Sequence, residues 1–302
     1  MSFSSARRSF CRAVAGAVLA VTMVQGAARA EFLVALGSTS SATNALLSFD
    51  STNPSTNTLT TITGVTGTLV DIDYRPATGA LYGLSTNGGL YTINTATGAA
   101  TLASTLSTAL SGTQFAIDFN PTVDRLRVVS DASQNLRVDV TTGATTTDGQ
   151  LSSTGVVGAA YTNSRPGATS TTLYDLTRTG NNFLLSTQNP PNNGTLNPIG
   201  LTNTLSPSPL IGFDISGASN VAYVAYNGTA GITNNVFNLS TIDLTTGSIS
   251  SNIGVFGNGV GFQVRGLAAP IGAIPEPASV ALLGLGLAGV GLVARRRARR
   301  DG

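Results

Sequence analysis

The chain has 302 residues, of which only 10% are charged, and all 16 of its basic residues are arginines. It has no histidine, no tryptophan and one cysteine, Cys11, so it lacks the residues for a histidine-based triad, a histidine-ligated zinc site, a disulfide framework or a Schiff-base lysine. Residues 31–270 hold 7 arginines against 12 acidic residues, which argues against nucleic-acid binding.

Residues 1–30 have the composition of a secretory signal peptide. Arg7 and Arg8 precede an apolar stretch at residues 13–24, and Ala28 and Ala30 are the small residues that signal peptidase accepts before a cleavage point. Cleavage there would remove Cys11 with the signal peptide and leave the exported part of the chain without cysteine. We call residues 31–270 the body of the protein. The paired arginines leave both the Sec and the twin-arginine export routes open.

The C-terminal segment has three consecutive parts: a linker (271–277), an apolar run (278–294) and an arginine-rich tail (295–302). The linker ends in the triplet Pro275, Glu276 and Pro277. The apolar run is about 25 Å long as a helix, which predicts one transmembrane helix. The positive-inside rule then places the tail in the cytoplasm and the body on the opposite side of the membrane.

The order of these three parts resembles the PEP-CTERM sorting signal of Gram-negative bacteria. The resemblance implies processing near the triplet by an exosortase, which is a membrane cysteine peptidase, and a link to exopolysaccharide and biofilm. We therefore expect an exported protein that is anchored in the inner membrane, facing the periplasm, until its tail is processed. It would then lie at the cell surface or outside the cell.

Residues 31–270 contain several copies of one unit of short strands. Each unit has three short apolar strands, a glycine turn and a fourth strand, at the spacing of propeller blades. The first strands contain residues 70–74, 116–119, 158–161 and 212–215, and the turn glycines are Gly98, Gly143, Gly194 and Gly247.

The two ends of the repeat region complement each other. Residues 32–62 match strands two to four of a unit, and residues 263–268 supply the missing first strand. A blade built from both termini closes the ring and removes exposed sheet edges. The sequence thus predicts an all-β propeller of five four-stranded antiparallel blades over 31–270. Six blades and a β-sandwich are the alternatives.

Four sequence runs support a family resemblance for this body: DYRPATGALYGL (73–84), DFNPTVDRLRVVS (118–130), QNLR (134–137) and QNPPNNGTL (188–196). Together they resemble the DUF4394 family, a domain of unknown function. Because the function of this family is unknown, the resemblance does not identify any residue as catalytic.

Aspartates recur at the end of the first strand of a unit. In a propeller this strand lines the central channel, so Asp73, Asp118 and Asp214 are expected to converge, with Asp71 as a fourth member. Such hard oxygen ligands suit Ca²⁺. The alternative is that each aspartate accepts hydrogen bonds from its own following turn, with no cofactor.

Three arginines lie close together in the second unit. Arg125, Arg127 and Arg137 could clamp an anionic group such as an acidic sugar. The alternative pairs them with acidic residues of the same hairpin, namely Asp124, Asp131 and Asp139.

Two classes of function follow. The first is a non-enzymatic envelope or extracellular module that contacts exopolysaccharide or matrix, with the exosortase, the export machinery and the membrane as partners. The scarcity of catalytic residue types favours it. The second is a hydrolase or lyase that acts on a sugar or lactone through channel carboxylates, with or without Ca²⁺.

Overall fold

A computed structural model describes residues 30–202, 210–227, 237–256 and 261–272. The described residues form five four-stranded antiparallel sheets, which confirms the prediction of a five-bladed propeller. Most of the predicted signal peptide, including Ala28, lies outside the described residues, as do the Pro275–Pro277 triplet, the run 278–294 and the tail 295–302. Within the described ranges, no helix has the length and hydropathy needed to cross a membrane.

Blade 1 is assembled from both ends of the body, in the order β20, β1, β2, β3. Its strands are β1 (Phe32–Ser38), β2 (Ala45–Asp50), β3 (Asn53–Thr61) and β20 (Gln263–Ala268). The register pairs Ala35 with Leu267, so the last described strand forms hydrogen bonds with the first. This pairing closes the ring.

The other four blades each use consecutive strands, with the first strand of each at one edge of its sheet. Blade 2 contains β4 (Leu69–Tyr74), β5 (Leu81–Ser85), β6 (Gly89–Ile93) and β7 (Ala100–Thr105). Blade 3 contains β8 (Phe115–Asn120), β9 (Arg125–Ser130), β10 (Asn135–Val138) and β11 (Thr145–Thr147). Blade 4 contains β12 (Val156–Tyr161), β13 (Leu173–Thr179), β14 (Asn182–Gln188) and β15 (Leu196–Leu201), with a 3₁₀ turn at Pro191–Asn193. Blade 5 contains β16 (Ile211–Ile215), β17 (Ala222–Asn227), β18 (Phe237–Ile242) and β19 (Ile249–Phe256).

The core consists of apolar clusters between neighbouring blades. Strands β4, β8, β12, β16 and β20 contact one another in turn and form the inner ring. Four of the clusters contain long aliphatic and aromatic side chains. Successive side chains of a strand point to opposite faces of its sheet, so each blade contributes to the clusters on both sides. The cluster between blades 3 and 4 is the smallest, and it contains Ala116, Val129, Leu151, Val156, Ala159, Tyr161 and Leu173.

The backbones of neighbouring blades come into close contact at glycines in the turns that precede the fourth strands. The four predicted turn glycines, Gly98, Gly143, Gly194 and Gly247, all have a φ between 70° and 77°. A Cβ atom on any of them would collide with backbone of the preceding blade, for example the carbonyl of Thr61 at Gly98. Each turn therefore needs glycine both for its left-handed backbone and for close contact between blades.

Candidate functional site

Equivalent positions on three inner strands carry aspartates. Asp73 on β4, Asp118 on β8 and Asp214 on β16 each pair with a residue of the second strand of their blade. Because the inner strands surround one axis, these side chains meet, and one carboxylate oxygen from each lies within 4.8 Å of the others. We call Asp73, Asp118 and Asp214 the axial carboxylates.

The inner-strand aspartates also connect neighbouring blades. Asp71 Oδ2 accepts a hydrogen bond from the Ile117 backbone N–H at 2.8 Å, and Asp73 Oδ2 accepts one from Phe119 at 2.7 Å. Asp214 repeats this pattern across the ring closure, because its Oδ2 accepts the Ala269 N–H at 2.6 Å. Asp118 likewise accepts a hydrogen bond from the backbone of Tyr161.

The proposed turn hydrogen bonds are present in part. Asp71 Oδ1 and Asp214 Oδ1 accept the N–H of the residues that follow them, Ile72 and Ile215, at 2.9 and 2.6 Å. Their second oxygens bond to the next blade, which the local pattern did not predict. Asp71 and Asp214 thus each have both oxygens bonded, but only Asp214 contributes to the group of three oxygens that meet on the axis.

Burial dominates the electrostatics of the axial carboxylates, which are 2–4% exposed. Burial raises the pKa of Asp73 and Asp118 well above its ordinary range and raises the pKa of Asp214 to about 7. The neighbouring carboxylates raise the pKa of Asp73 and Asp118 further. Asp118 and Asp214 lie within hydrogen-bonding reach of each other, so the pair needs a shared proton or a cation between its oxygens.

Arg127 is fully enclosed between blades 3 and 4, with 1% of its surface exposed. Its Nη1 donates to Asn135 and Asp148 at 2.7 Å each, and its Nη2 donates to Asn192 at 2.9 Å. Its Nε lies 3.4 Å from the Tyr161 hydroxyl. The structure therefore gives every nitrogen of this side chain a protein partner.

The other two arginines of the predicted clamp differ in exposure. Arg137 forms a bidentate pair with Asp148 at 2.6 and 2.9 Å, with 35% of its side chain exposed. Arg125 is 45% exposed and lies 3.3 Å from Asp139. Asp148, which joins Arg127 to Arg137, was not among the partners expected from the sequence.

The sequence does not identify Asp175 as a buried acid near Arg127, between blades 3 and 4. Asp175 on β13 has no exposed surface, and neither of its carboxylate oxygens has a hydrogen-bond partner among the described residues. Burial raises its pKa to about 8, an effect that the charge of Arg127 opposes. Its sequence context, Leu173-Tyr174-Asp175-Leu176, resembles a strand with a solvent-facing Asp, so no sequence signal marks it as buried.

A polar cleft of about 630 Å³ lies where the inner strands β8 and β12 begin. It is open to solvent, on the side opposite to the axial carboxylates, which lie towards the ends of their strands. Its lining includes Thr113, Gln114, Asp131, Thr154 and Arg178. These side chains offer hydroxyl, amide and charged groups to a polar ligand.

The family model described as a domain of unknown function (DUF4394) matches residues 45–268, which is most of the chain. The chain belongs to the DUF4394 family. A second model, the PEP-CTERM protein-sorting motif, matches residues 273–298 of this DUF4394 protein. The motif marks an exported, membrane-processed protein of the Gram-negative type that an exosortase recognises.

No curated protein sequence is similar to this chain. Among solved structures, the computationally designed Ika8 protein is 11% identical, with a TM-score of 0.34 over 81% of this chain and 65% of that one. The Dos1 propeller is 14% identical, with a TM-score of 0.39 over 73% and 57%. A structural genomics protein of unknown function from Bacteroides thetaiotaomicron VPI-5482 is 14% identical, with a TM-score of 0.44 over 74% and 58%. The chain thus spans between 57% and 65% of these structures.

Proposed function

We propose that this DUF4394 protein is a non-enzymatic binding or structural module of the cell envelope or extracellular matrix that contacts exopolysaccharide. The observation that carries the proposal is the sorting motif at residues 273–298, which begins just after the strand β20 (Gln263–Ala268) that closes the ring. A rigid ring attached to a sorting signal is suited to display surfaces outside the cell.

The chemistry of the ring supports a module rather than an enzyme. The inner-strand carboxylates are buried, and all of them accept backbone N–H groups of the next blade. Arg127 and Arg137 are bound to Asp148. These groups hold the propeller together, which leaves its polar surfaces for contact with a partner.

The membrane stage of this proposal rests on the C-terminal segment. Residues 278–294 would anchor the protein in the inner membrane with the body in the periplasm, and the tail 295–302 would stay in the cytoplasm. Processing by the exosortase would then release the body to the cell surface or the matrix.

Two surfaces are candidates for contact with an acidic polysaccharide. Arg125 is the most exposed member of the predicted arginine clamp, and Arg137 is about one-third exposed, so both can approach an anionic sugar from the solvent side. The polar cleft between blades 3 and 4 has the size of a sugar-binding site. Arg127 shares Asp148 with Arg137 and would hold the arginine surface in place from within.

Deletion of residues 273–302 in the producing bacterium tests the proposal. We expect the truncated protein to be lost from the envelope and matrix fractions and the biofilm to lose exopolysaccharide. Replacement of Pro275, Glu276 and Pro277 by alanine should have the same effect while leaving the propeller intact, and the matched control is alanine at Thr101 on an outer strand. Unchanged fractionation and unchanged biofilm would refute the proposal.

The contact itself has a direct test. Purified protein should bind the acidic exopolysaccharide of its producer in a sedimentation assay, and Arg125→Ala should weaken this binding at constant ionic strength. Equal binding of a neutral glucan would show that charge is not what is recognised.

The second candidate function is a hydrolase or lyase acting on a sugar or lactone. One observation favours it, namely the neighbouring carboxyls of Asp118 and Asp214. A protonated carboxyl next to an ionised one can act as general acid and general base. The separation of up to 4.8 Å is shorter than the roughly 5–5.5 Å of retaining glycosidases, and the carboxyls are almost inaccessible. Turnover of a sugar or lactone substrate that disappears in Asp118→Asn, with the fold preserved, would favour the enzyme.

A further inference from the structure

The three axial carboxylates place acidic groups from blades 2, 3 and 5 at one point inside the ring. Each is 2–4% exposed, and one oxygen from each lies within 4.8 Å of the others. The neighbouring aspartates raise the pKa of Asp73 and Asp118 further. Arg127 is the cross-strand partner of Asp118, but its guanidinium donates to Asn135, Asp148 and Asn192. Three such carboxyls cannot all stay ionised without a positive partner.

One atom of this group lacks a partner. Asp118 Oδ1 is buried and has no hydrogen-bond partner in the described residues, although its carboxyl lies beside that of Asp214. A buried acceptor without a partner costs about 1–3 kcal/mol, so native proteins rarely leave one unfilled. A ligand between the two carboxylates would satisfy this oxygen.

The spacing of the oxygens matches the coordination sphere of a cation. Oxygen ligands of Ca²⁺ lie about 2.3–2.6 Å from the metal, so any two of them are at most about 5 Å apart. The axial oxygens meet this limit at 4.8 Å. The backbone hydrogen bonds of Asp73 and Asp214 fix their carboxylates in this direction and leave lone pairs for a metal.

We infer that Asp73, Asp118 and Asp214 bind one hard divalent cation, with Ca²⁺ as the expected ion, on the axis of the propeller. The ion holds three blades at a level where the other two inner strands, β12 and β20, offer only apolar residues such as Ala160 and Ala268. The donor set is all oxygen, and the chain has no histidine, so the site suits Ca²⁺ rather than a transition metal. This inference goes beyond the proposed function and does not depend on it.

Asp71 is excluded from the ligand set although the sequence placed it there. Its oxygens lie outside the group of three that are within 4.8 Å of one another, and they accept backbone N–H groups from Ile72 and Ile117. It lies on the same strand as Asp73 and is also buried. It therefore offers a matched control, because its loss removes a buried carboxylate without removing a metal ligand.

The test uses the full-length protein, purified in detergent and melted in EDTA, in millimolar CaCl₂ and in millimolar MgCl₂. A ligand that binds only the folded state raises its stability, and we expect Ca²⁺ to raise Tm by roughly 5 °C or more over EDTA. Elemental analysis of the protein, purified without chelator, should find about one calcium per chain.

Variants locate the site. In Asp118→Asn the Ca²⁺-dependent rise of Tm should disappear, whereas in Asp71→Asn it should persist from a lower starting Tm. If Asp118→Asn does not fold, Asp73→Asn and calorimetric titration of the unmodified protein with CaCl₂ replace it. No rise of Tm together with no bound calcium would overturn the inference and assign the cluster to shared protons. A rise that persists in both Asp118→Asn and Asp73→Asn would overturn it as well, by placing the ion elsewhere.

Discussion

The carboxylate of Asp71 accepts the backbone N–H of Ile117 at 2.8 Å and so joins the inner strand of blade 2 to that of blade 3. The two residues are 46 positions apart, which is close to one repeat. Asp73 and Phe119 repeat the contact two residues later at 2.7 Å. The inner ring is therefore connected by side-chain hydrogen bonds as well as by apolar packing.

Loss of this connection should destabilise the ring. Asp71→Ala leaves the N–H groups of Ile72 and Ile117 without partners in a buried position, and we expect the free energy of unfolding to fall by about 2–3 kcal/mol. Urea denaturation followed by circular dichroism measures the change. Asp50→Ala is the control, because Asp50 is partly exposed and its carboxylate accepts hydrogen bonds from Thr52 within its own turn. An equal loss in both variants would show that the contact between blades is not the cause.

A turn glycine should be more sensitive than its backbone angle alone predicts. Gly98 and Gly180 both have positive φ, 73° and 61°, but a Cβ at Gly98 would collide with Thr61, whereas a Cβ at Gly180 would meet no atom within 4 Å. We expect Gly98→Ala to cost about 3 kcal/mol or more in urea denaturation and Gly180→Ala about 1 kcal/mol. Similar losses would mean that the blades can separate slightly at their outer strands.

The repeat and the ring closure were predictable from sequence because both depend on local signals. Short apolar strands and glycine turns recur at a fixed spacing, and residues 32–62 visibly lack the first strand that residues 263–268 supply. Each turn glycine lies where the pattern placed it. The additional reason for glycine at Gly98, a collision with the preceding blade, involves residues far away in sequence and needed the structure.

Of the candidate site, the sequence predicted only that its three aspartates lie close together. The recurrence of Asp73, Asp118 and Asp214 at equivalent positions predicted that they meet, because equivalent positions of a ring face one axis. The hydrogen bonds from each acid to the next blade could not be predicted, since strand patterns do not show which backbone N–H groups the inner edges leave free. The burial of Asp175 was missed for a similar reason, because the face of β13 that is covered depends on blade 3.

The buried arginine and its exposed neighbour should respond very differently to substitution. Arg127→Met leaves Asp148 and Asn135 without their buried donor, so we expect a loss of about 3–5 kcal/mol in the free energy of unfolding. Arg125→Met removes a pair that is 45% exposed on the arginine side and should cost less than about 1 kcal/mol. Chemical denaturation measures both.

A double variant separates charge from packing at this position. Arg137 still pairs with Asp148 in Arg127→Met, so the double variant Arg127→Met with Asp148→Asn measures the coupling of Arg127 to Asp148, and we expect its loss to be smaller than the sum of the two single losses. If the double variant is as unstable as the sum of the two single ones, the ion pair is not what makes Arg127 important.

Asp175 should make the protein less stable as the pH rises. Its pKa is raised from an ordinary value near 4 to about 8 in the folded protein, so the folded state holds a proton that the unfolded state has released between these values. Its contribution is complete below about pH 4 and is lost progressively up to about pH 8, by as much as about 5 kcal/mol. Arg127, the charged group that acts on it, lowers this pKa and limits the loss. Asp175→Asn cannot ionise, so we expect its advantage over the unmodified protein in urea denaturation to be clearly larger at pH 8 than at pH 5. Asp243 is a partly exposed acid whose pKa is lowered by hydrogen bonds from Thr245, so Asp243→Asn should show no such gain between the two pH values. A gain of equal size at pH 5 and pH 8 would contradict the assignment, because it would reflect packing rather than the proton on Asp175.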